Sequence, residues 1–141
     1  MIQQIGRGEF LKRISGLSVI LLLDRERFAF PATDPLPHPE PRSGISADNV
    51  LNTEDRGDKR QAVIEAYDAA RHYPQVFDGL ACGCGCHGDA SYQHRSLLVC
   101  YETKQPTGCP SCRSEATFVG TMVKDGRTLA EIRASVDKKF G

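Results

Sequence analysis

Residues 80–88 of this chain read LACGCGCHG, which places Cys82, Cys84, Cys86 and His87 within six consecutive positions. Thiols separated only by glycine leave no larger side chain to fill a core, while the glycines let the backbone wrap around a small object. Thiolates are the ligands that soft metal ions select. This density of thiols therefore indicates a chemical site, and a metal ion is its simplest occupant.

The other three cysteines follow within the next 26 positions, so that all six lie between residues 82 and 112. Cys109 and Cys112 have the C-x-x-C spacing of a zinc half-site, in which both sulfurs can face one ion. Pro110 suits the first turn of a helix, which puts this pair at a helix start. We predict a cluster built from several loops.

Helical patterns surround these cysteines. A broad apolar face predicts a helix over residues 58–73, and a second helix is expected from Pro110 to the Asp125–Gly126 stop. Thr128 and Glu131 have the spacing of a capping box that opens a last helix, with Phe140 facing inward. Residues 91–101 suit a short buried helix or a strand, and we favour the helix. Phe77, Tyr92 and Tyr101 are expected to fill the core rather than shield the site.

The predicted fold class is therefore a mostly α-helical small domain over residues 58–141, with cysteine-rich loops gathered around a metal or disulfide site. So small a domain has a modest apolar core, and a metal or disulfide clamp would add stability.

The first 32 residues resemble an export signal. A basic flank precedes the apolar run from Ile14 to Leu23, which is too short to span a bilayer. Residues 7–12 resemble a twin-arginine motif, although Gly8 stands where the second arginine belongs. An amphipathic anchor and an ordinary buried helix are the alternatives. The prediction is an exported protein, periplasmic or anchored to the outer side of a membrane.

Residues 33–57 are predicted to form a proline-rich tether. Five prolines fall between residues 31 and 41, and the stretch up to Gly57 is rich in Ser, Asn, Asp and Gly. Such a composition excludes a helix or a central strand and favours a semi-extended linker. The alternative is a long surface arm packed on the domain.

Residues 81–87, together with residues 94–100 (HRSLLVC) and 108–112 (GCPSC), resemble the CYCXC or PCYCGC-motif family of small bacterial proteins. The resemblance covers roughly residues 58–140, and Ala81 and Gly83 replace the usual proline and tyrosine. It implies an exported or lipid-anchored protein of unknown biochemical function, and some members carry selenocysteine at a cysteine position. His94 matches the family pattern.

Two metals fit these ligand types. Zinc would take Cys109, Cys112 and two cysteines of the triplet in a tetrahedral structural site. Copper(I) is selected by soft thiolates, and adjacent C-x-C pairs can bridge several ions. The candidate metal ligands are Cys82, Cys84, Cys86, His87, His94, Cys100, Cys109 and Cys112.

Disulfide chemistry is the alternative. Six thiols allow 15 pairings into three bridges, and an exported protein can keep them oxidised. A bridge within a C-x-C unit would be strained and easily reduced, so it suits thiol–disulfide exchange better than simple stapling. Haem attachment and iron–sulfur ligation fit the spacing poorly. If the protein is an enzyme, it is a thiol–disulfide oxidoreductase, but binding is favoured over catalysis.

The charge balance bears on the partners. With 18 basic and 18 acidic residues, the chain lacks the excess of cations that binding a nucleic-acid backbone requires. The predicted partners are a metal ion and, for delivery, a protein partner or a membrane complex.

Overall fold

The computed structural model describes residues 35–86, 91 and 94–141, and within these residues the chain is helical without strands. No described helix is long and apolar enough to cross a bilayer. The predicted export segment lies outside the described residues. The helices are Thr53–Arg56 (α1), Gln61–His72 (α2), Pro74–Asp78 (α3), Leu97–Tyr101 (α4), Gln105–Gly108 (α5), Pro110–Lys124 (α6) and Leu129–Phe140 (α7).

The longest helix of the described residues, α6, packs mainly on α2. Five residues of these two helices are fully buried in the core: Val63, Ala66 and Ala70 of α2 and Ala116 and Val119 of α6. The sequence predicted α2 from residue 58, but the helix begins at Gln61. Asp58 instead accepts hydrogen bonds from the backbone N–H and the guanidinium of Arg60, because a short carboxylate competes well for nearby donors outside a helix.

The starts of α6 and α7 are confirmed. Pro110 lies in the first turn of α6, and Asp125 caps its end. At α7 the Thr128 hydroxyl accepts from the Glu131 N–H, while the Glu131 carboxylate accepts from the Thr128 N–H. This reciprocal pair satisfies two donors that a helix start otherwise leaves without partners.

Three aromatic rings form the part of the core beneath the cysteines. Tyr101 makes edge contacts with Tyr67 and Phe77, with ring centroids 4.9 and 5.8 Å apart. All three rings are fully buried, as expected for Phe77 and Tyr101. Among the described residues of the segment 91–101, the helix covers Leu97–Tyr101.

The tether prediction is wrong for residues 35–57, which form an arm packed on the domain, the alternative that the sequence left open. Val50 is buried in the core, and α1 interrupts a segment expected to lack helix. The Leu36 N–H donates to Asp137 of α7 at 2.8 Å. Proline favours an extended form of the arm, and several of its backbone N–H groups donate to side chains of the domain, as those of Leu36 and Arg42 do to Asp137 and Asp78.

One of these attachments is a buried carboxylate. Asp78, at the end of α3, is fully buried and accepts hydrogen bonds from Arg42 of the arm, from Arg95 and from Ser96. The Arg42 and Arg95 guanidinium nitrogens lie 2.8 and 2.9 Å from its Oδ1. Burial raises the pKa of Asp78, but the hydrogen bonds from Arg42 and Ser96 outweigh it and lower that pKa to about 2. We call these four residues the Asp78 centre.

Candidate metal centre

The loop of residues 79–86 carries three of the six cysteines and is held from several sides. The Leu97 N–H donates to the Leu80 carbonyl at 2.6 Å, which ties the loop to the start of α4. The Ala81 N–H donates to Nδ1 of His38 at 3.0 Å, and Nε2 of His38 lies 3.0 Å from Asp137 of α7. Since Nδ1 accepts, Nε2 carries the proton. The arm and the last helix therefore jointly fix the residue that precedes Cys82.

Gly83 is required by the close approach of α7. A Cβ at this position would lie 2.5 Å from Cβ of Phe140 and 2.9 Å from its carbonyl oxygen. The Gly83 N–H donates to Oε2 of Glu115 at 2.8 Å. There is no room here for the tyrosine of the CYCXC pattern. Two residues later, Gly85 has φ +82°, a conformation that glycine adopts readily.

The start of α6 contributes the next two thiols. Cys109 is the N-cap residue of α6, and its Sγ accepts from the Cys112 N–H at 3.4 Å. The two Sγ atoms lie 3.0 Å apart. The remaining thiol, Cys100, lies on α4, with its Sγ 3.0 Å from Nδ1 of His94. The C-x-x-C spacing thus directs both sulfurs to the same side of the helix start.

The six sulfurs and His94 form one group, which we call the cysteine cluster. Sγ of Cys82 lies 3.2 Å from that of Cys84 and 3.4 Å from that of Cys112, and it is also hydrogen-bonded to Cys100. Cys82, Cys86, Cys100, Cys112 and His94 are each at least 93 % buried, whereas Cys84 and Cys109 are half-buried.

Two sets of donor atoms in the cysteine cluster are close enough to hold a metal ion. In each set the donor atoms all lie within 4.8 Å of one another, and Cys86 belongs to both. The first set is Cys82, Cys84, Cys86 and Cys112, and the second is Cys86, His94 and Cys100. Cys109 lies outside both sets but contacts the first through Cys112. The arrangement can therefore bind a metal ion.

Cys84 and Cys86 are joined by a disulfide, with their Cα atoms 5.6 Å apart. The other four cysteines form no disulfide. A disulfide sulfur is a much weaker metal ligand than a thiolate, because the thiolate is the form that binds metals. Because Cys86 belongs to both sets, each set of donors is complete only when this bridge is reduced.

Charge in the cysteine cluster is concentrated on one sulfur. Hydrogen bonds from Cys100 and Cys112 lower the pKa of Cys82 to about 3. At Cys100, a hydrogen bond with Cys112 lowers the pKa of the thiol. The hydrogen bond with Cys82 and burial outweigh this effect, so the pKa of Cys100 is raised. Hydrogen bonds with Cys100 and Cys82, together with burial, raise the pKa of Cys112. Like charges packed this closely cannot all form, so at neutral pH one thiolate is surrounded by protonated thiols.

Glu115 is a buried acid beside this thiolate. Burial, followed by the negative charge of Cys82, raises the pKa of Glu115 to about 9. Its Oε2 accepts from Gly83, whereas its Oε1 is buried without a hydrogen-bond partner among the described residues. At neutral pH it is a protonated acid in contact with the cluster.

Three residues around the cysteine cluster were not predicted from the sequence. Glu115 lies three positions after Cys112 on the buried face of α6, and an acid on an apolar face was a signal that could have been noticed. Gln105, which donates to Sγ of Cys86 at 2.8 Å, and His38 gave no such signal. His87, predicted as a ligand, lies outside the described residues.

Comparisons with protein-family models, with curated proteins and with solved structures find no match to this chain.

Proposed function

We propose that this protein binds copper(I) in the cysteine cluster, as more than one ion per chain, and stores or delivers it outside the cytoplasm. The observation that carries the proposal is the sharing of Cys86 between two sets of donor atoms. A sulfur that serves two ions is a bridging thiolate, and soft thiolates select copper(I). Burial of five of the seven donor residues supports this, because it limits access of water and oxidants to the bound metal.

Zinc is the less favoured occupant. A structural zinc ion uses four ligands, so three of the seven candidate donors would have no part in binding it. With Zn–S bonds of about 2.3 Å, tetrahedral zinc also sets its sulfurs roughly 3.8 Å apart, whereas the neighbouring sulfurs here are 3.0–3.5 Å apart. Either metal would require the sulfurs to move apart, but zinc offers no reason for the shared sulfur.

The first experiment is elemental analysis of anaerobically purified, reduced protein, paired with a free-thiol count and a copper(I) titration against a chromophoric chelator. We expect more than one tightly bound copper per chain. One zinc per chain that copper does not displace would contradict the copper proposal. In the zinc case Cys84→Ser should also unfold the protein, whereas in the copper case that variant loses metal and stays folded.

A matched pair of variants tests the shared sulfur. Cys84→Ser and Cys86→Ser each abolish the same disulfide. A difference in copper content between the two variants therefore reports the different roles of the two sulfurs in metal binding. Cys86 belongs to both sets of donors and Cys84 to only one. We expect Cys86→Ser to lose more copper than Cys84→Ser does. Equal losses, with both variants folded by circular dichroism, would contradict a bridging role for Cys86.

Thiol–disulfide exchange is a second candidate, favoured by the Cys84–Cys86 bridge next to the Cys82 sulfur. Two observations weigh against it. Cys82 is 1 % exposed, out of reach of a protein substrate. A thiolate with so low a pKa is also a weak nucleophile. A free-thiol count that changes reversibly with a mild reductant, in protein that binds no metal, would establish exchange as the function.

The extracytoplasmic part of the proposal is supported by the sequence of the first 32 residues and by the resemblance to the CYCXC family. A fusion of residues 1–57 to a reporter that is active only after export tests it. A reporter that stays inactive, while a fusion to a known export signal is active, would contradict export. A protein partner that accepts the copper is part of the same proposal.

A further inference from the structure

A cavity of about 600 Å³ opens beside the cysteine cluster, between α5 and the start of α6. Its lining includes His94, Lys104, Gln105 and Cys109. Its volume lies in the range of sites that bind small molecules. The inference drawn from it rests on the proposed function and concerns how copper reaches the cluster.

Cys109 is the thiol through which this cavity meets the buried sulfurs. It is half-buried, and its Sγ lies 3.0 Å from that of the fully buried Cys112. Sγ of Cys112 is in turn 3.4 Å from that of Cys82. These short sulfur–sulfur distances let a copper ion pass from Cys109 at the cavity to the first set of metal donors without a large movement of the backbone.

Gln105 presents an acceptor that the described residues leave unused. Its amide nitrogen donates to Sγ of Cys86 at 2.8 Å, which fixes the orientation of the amide group. The amide oxygen Oε1 is buried and has no partner among the described residues. A buried acceptor left without a donor lowers the stability of the protein. A ligand with an N–H group would satisfy it.

Lys104 supplies positive charge at the same cavity. Its side chain is exposed, and the described part of the chain gives it no ion-pair partner within 4 Å. Exposed charge around a cleft raises the rate at which ions of opposite charge arrive. The cavity thus combines a cation, an acceptor for N–H and an accessible thiol.

We propose that this cavity receives copper(I) as its complex with a small peptide thiol, and that Cys109 takes the ion from that carrier. The carrier's carboxylate pairs with Lys104, and one of its N–H groups donates to Gln105. A bond forms between copper and Sγ of Cys109 while the bond between copper and the carrier sulfur breaks. The Cys109 proton passes to the departing carrier sulfur. Copper stays in the +1 state, so no oxidant or reductant is needed.

The test compares two copper(I) donors by anaerobic stopped-flow luminescence of the copper–thiolate cluster. One donor is the anionic complex with glutathione, a peptide thiol, and the other is the cationic complex with acetonitrile. We expect Lys104→Ala to slow transfer from glutathione about three- to ten-fold, as loss of electrostatic attraction predicts. The rate from acetonitrile should change less than two-fold. Cys109→Ser should slow transfer from glutathione at least ten-fold.

Lys124→Ala is the matched control, because Lys124 is an exposed lysine at the far end of α6. It should leave both rates unchanged. One outcome overturns the entry site alone. In it, both variants take copper from acetonitrile at the wild-type rate, and neither Lys104→Ala nor Cys109→Ser slows transfer from glutathione. Failure of the wild-type protein to take copper from either donor overturns the proposed function and the entry site together. If Cys109→Ser does not fold, Lys104→Ala alone tests the entry site. A slower transfer from glutathione with an unchanged rate from acetonitrile supports the site, and an unchanged glutathione rate overturns it.

Discussion

The Asp78 centre, directly before the loop of residues 79–86, and the cysteine cluster, which includes the cysteines of that loop, are two buried polar groups that differ in how completely the protein satisfies their hydrogen bonds. Asp78 receives hydrogen bonds from three side chains, and its charge is balanced by two guanidinium groups. Beside the cysteine cluster, Oε1 of Glu115 and Oε1 of Gln105 are buried and have no hydrogen-bond partner within the described residues.

This difference separates a structural centre from a binding centre. Buried polar groups are normally hydrogen-bonded, so a group that the protein leaves incomplete calls for a specific explanation. The Asp78 centre needs nothing from outside the chain. The cysteine cluster gathers soft donors at short distances, and a bound metal would give them a common partner.

The largest effect is expected from removing the carboxylate of the structural centre. Asp78→Ala should lower the free energy of unfolding by about 3 kcal/mol, because it leaves two arginines without their shared partner, each partly exposed to water. Urea unfolding measures the loss, which should be the same with and without copper. The control Asp68→Ala breaks an exposed pair with Arg71 and should cost less than about 0.5 kcal/mol. Similar losses for both variants would contradict the role of Asp78.

Acid should weaken the same centre. The folded-state pKa of Asp78, about 2, lies below its ordinary value of 3.8. Its contribution is therefore complete above pH 4 and is lost as the pH falls from about 4 to about 2. This contribution amounts to about 2 kcal/mol. We expect the stability difference between the wild type and Asp78→Asn to shrink over this window in urea unfolding series, and a difference independent of pH would contradict the assignment.

A methyl group at Gly83 should disturb the cysteine cluster and leave the Asp78 centre intact. The added Cβ would meet the backbone and side chain of Phe140, so Gly83→Ala should cost about 2 kcal/mol and weaken copper binding. Gly108→Ala is the control, since a Cβ there meets nothing within 4 Å. Thermal unfolding and copper titration measure both effects. A copper affinity unchanged in Gly83→Ala would show that the loop tolerates displacement.

The smallest effect is expected at His38, which joins the arm, the loop and α7. His38→Ala removes the acceptor of the buried Ala81 N–H, and we expect a loss of about 1 kcal/mol, since water can enter the space left by the ring. The exposed His72, bonded only within its own helix, is the control and should change stability by less than about 0.5 kcal/mol. Equal losses in urea unfolding would contradict the role of His38.

The sequence was sufficient for the features that depend on local pattern. The capping box at Thr128, the proline at the start of α6 and the clustering of cysteines are each encoded within a few residues, and helices with the predicted caps were found. The role of the arm depends on contacts between residues far apart in the chain, such as Arg42 with Asp78 and His38 with Asp137. Proline-rich composition describes an extended backbone equally well whether it is free or packed, so the tether prediction failed there. Glu115 was missed because its role depends on a loop that passes over it.

The attachment of the loop to both the arm and α7 also determines when the cluster can assemble. The hydrogen bonds of Leu36 and His38 with Asp137 join residues 101 and 99 positions apart. Contacts over such separations form late in folding, because the intervening chain must first be ordered. During synthesis every cysteine emerges before α7 does, so copper or oxidant present at that stage meets thiols with no frame around them. The yield of native protein is therefore expected to be highest when copper and oxidant are both added only after the chain is complete.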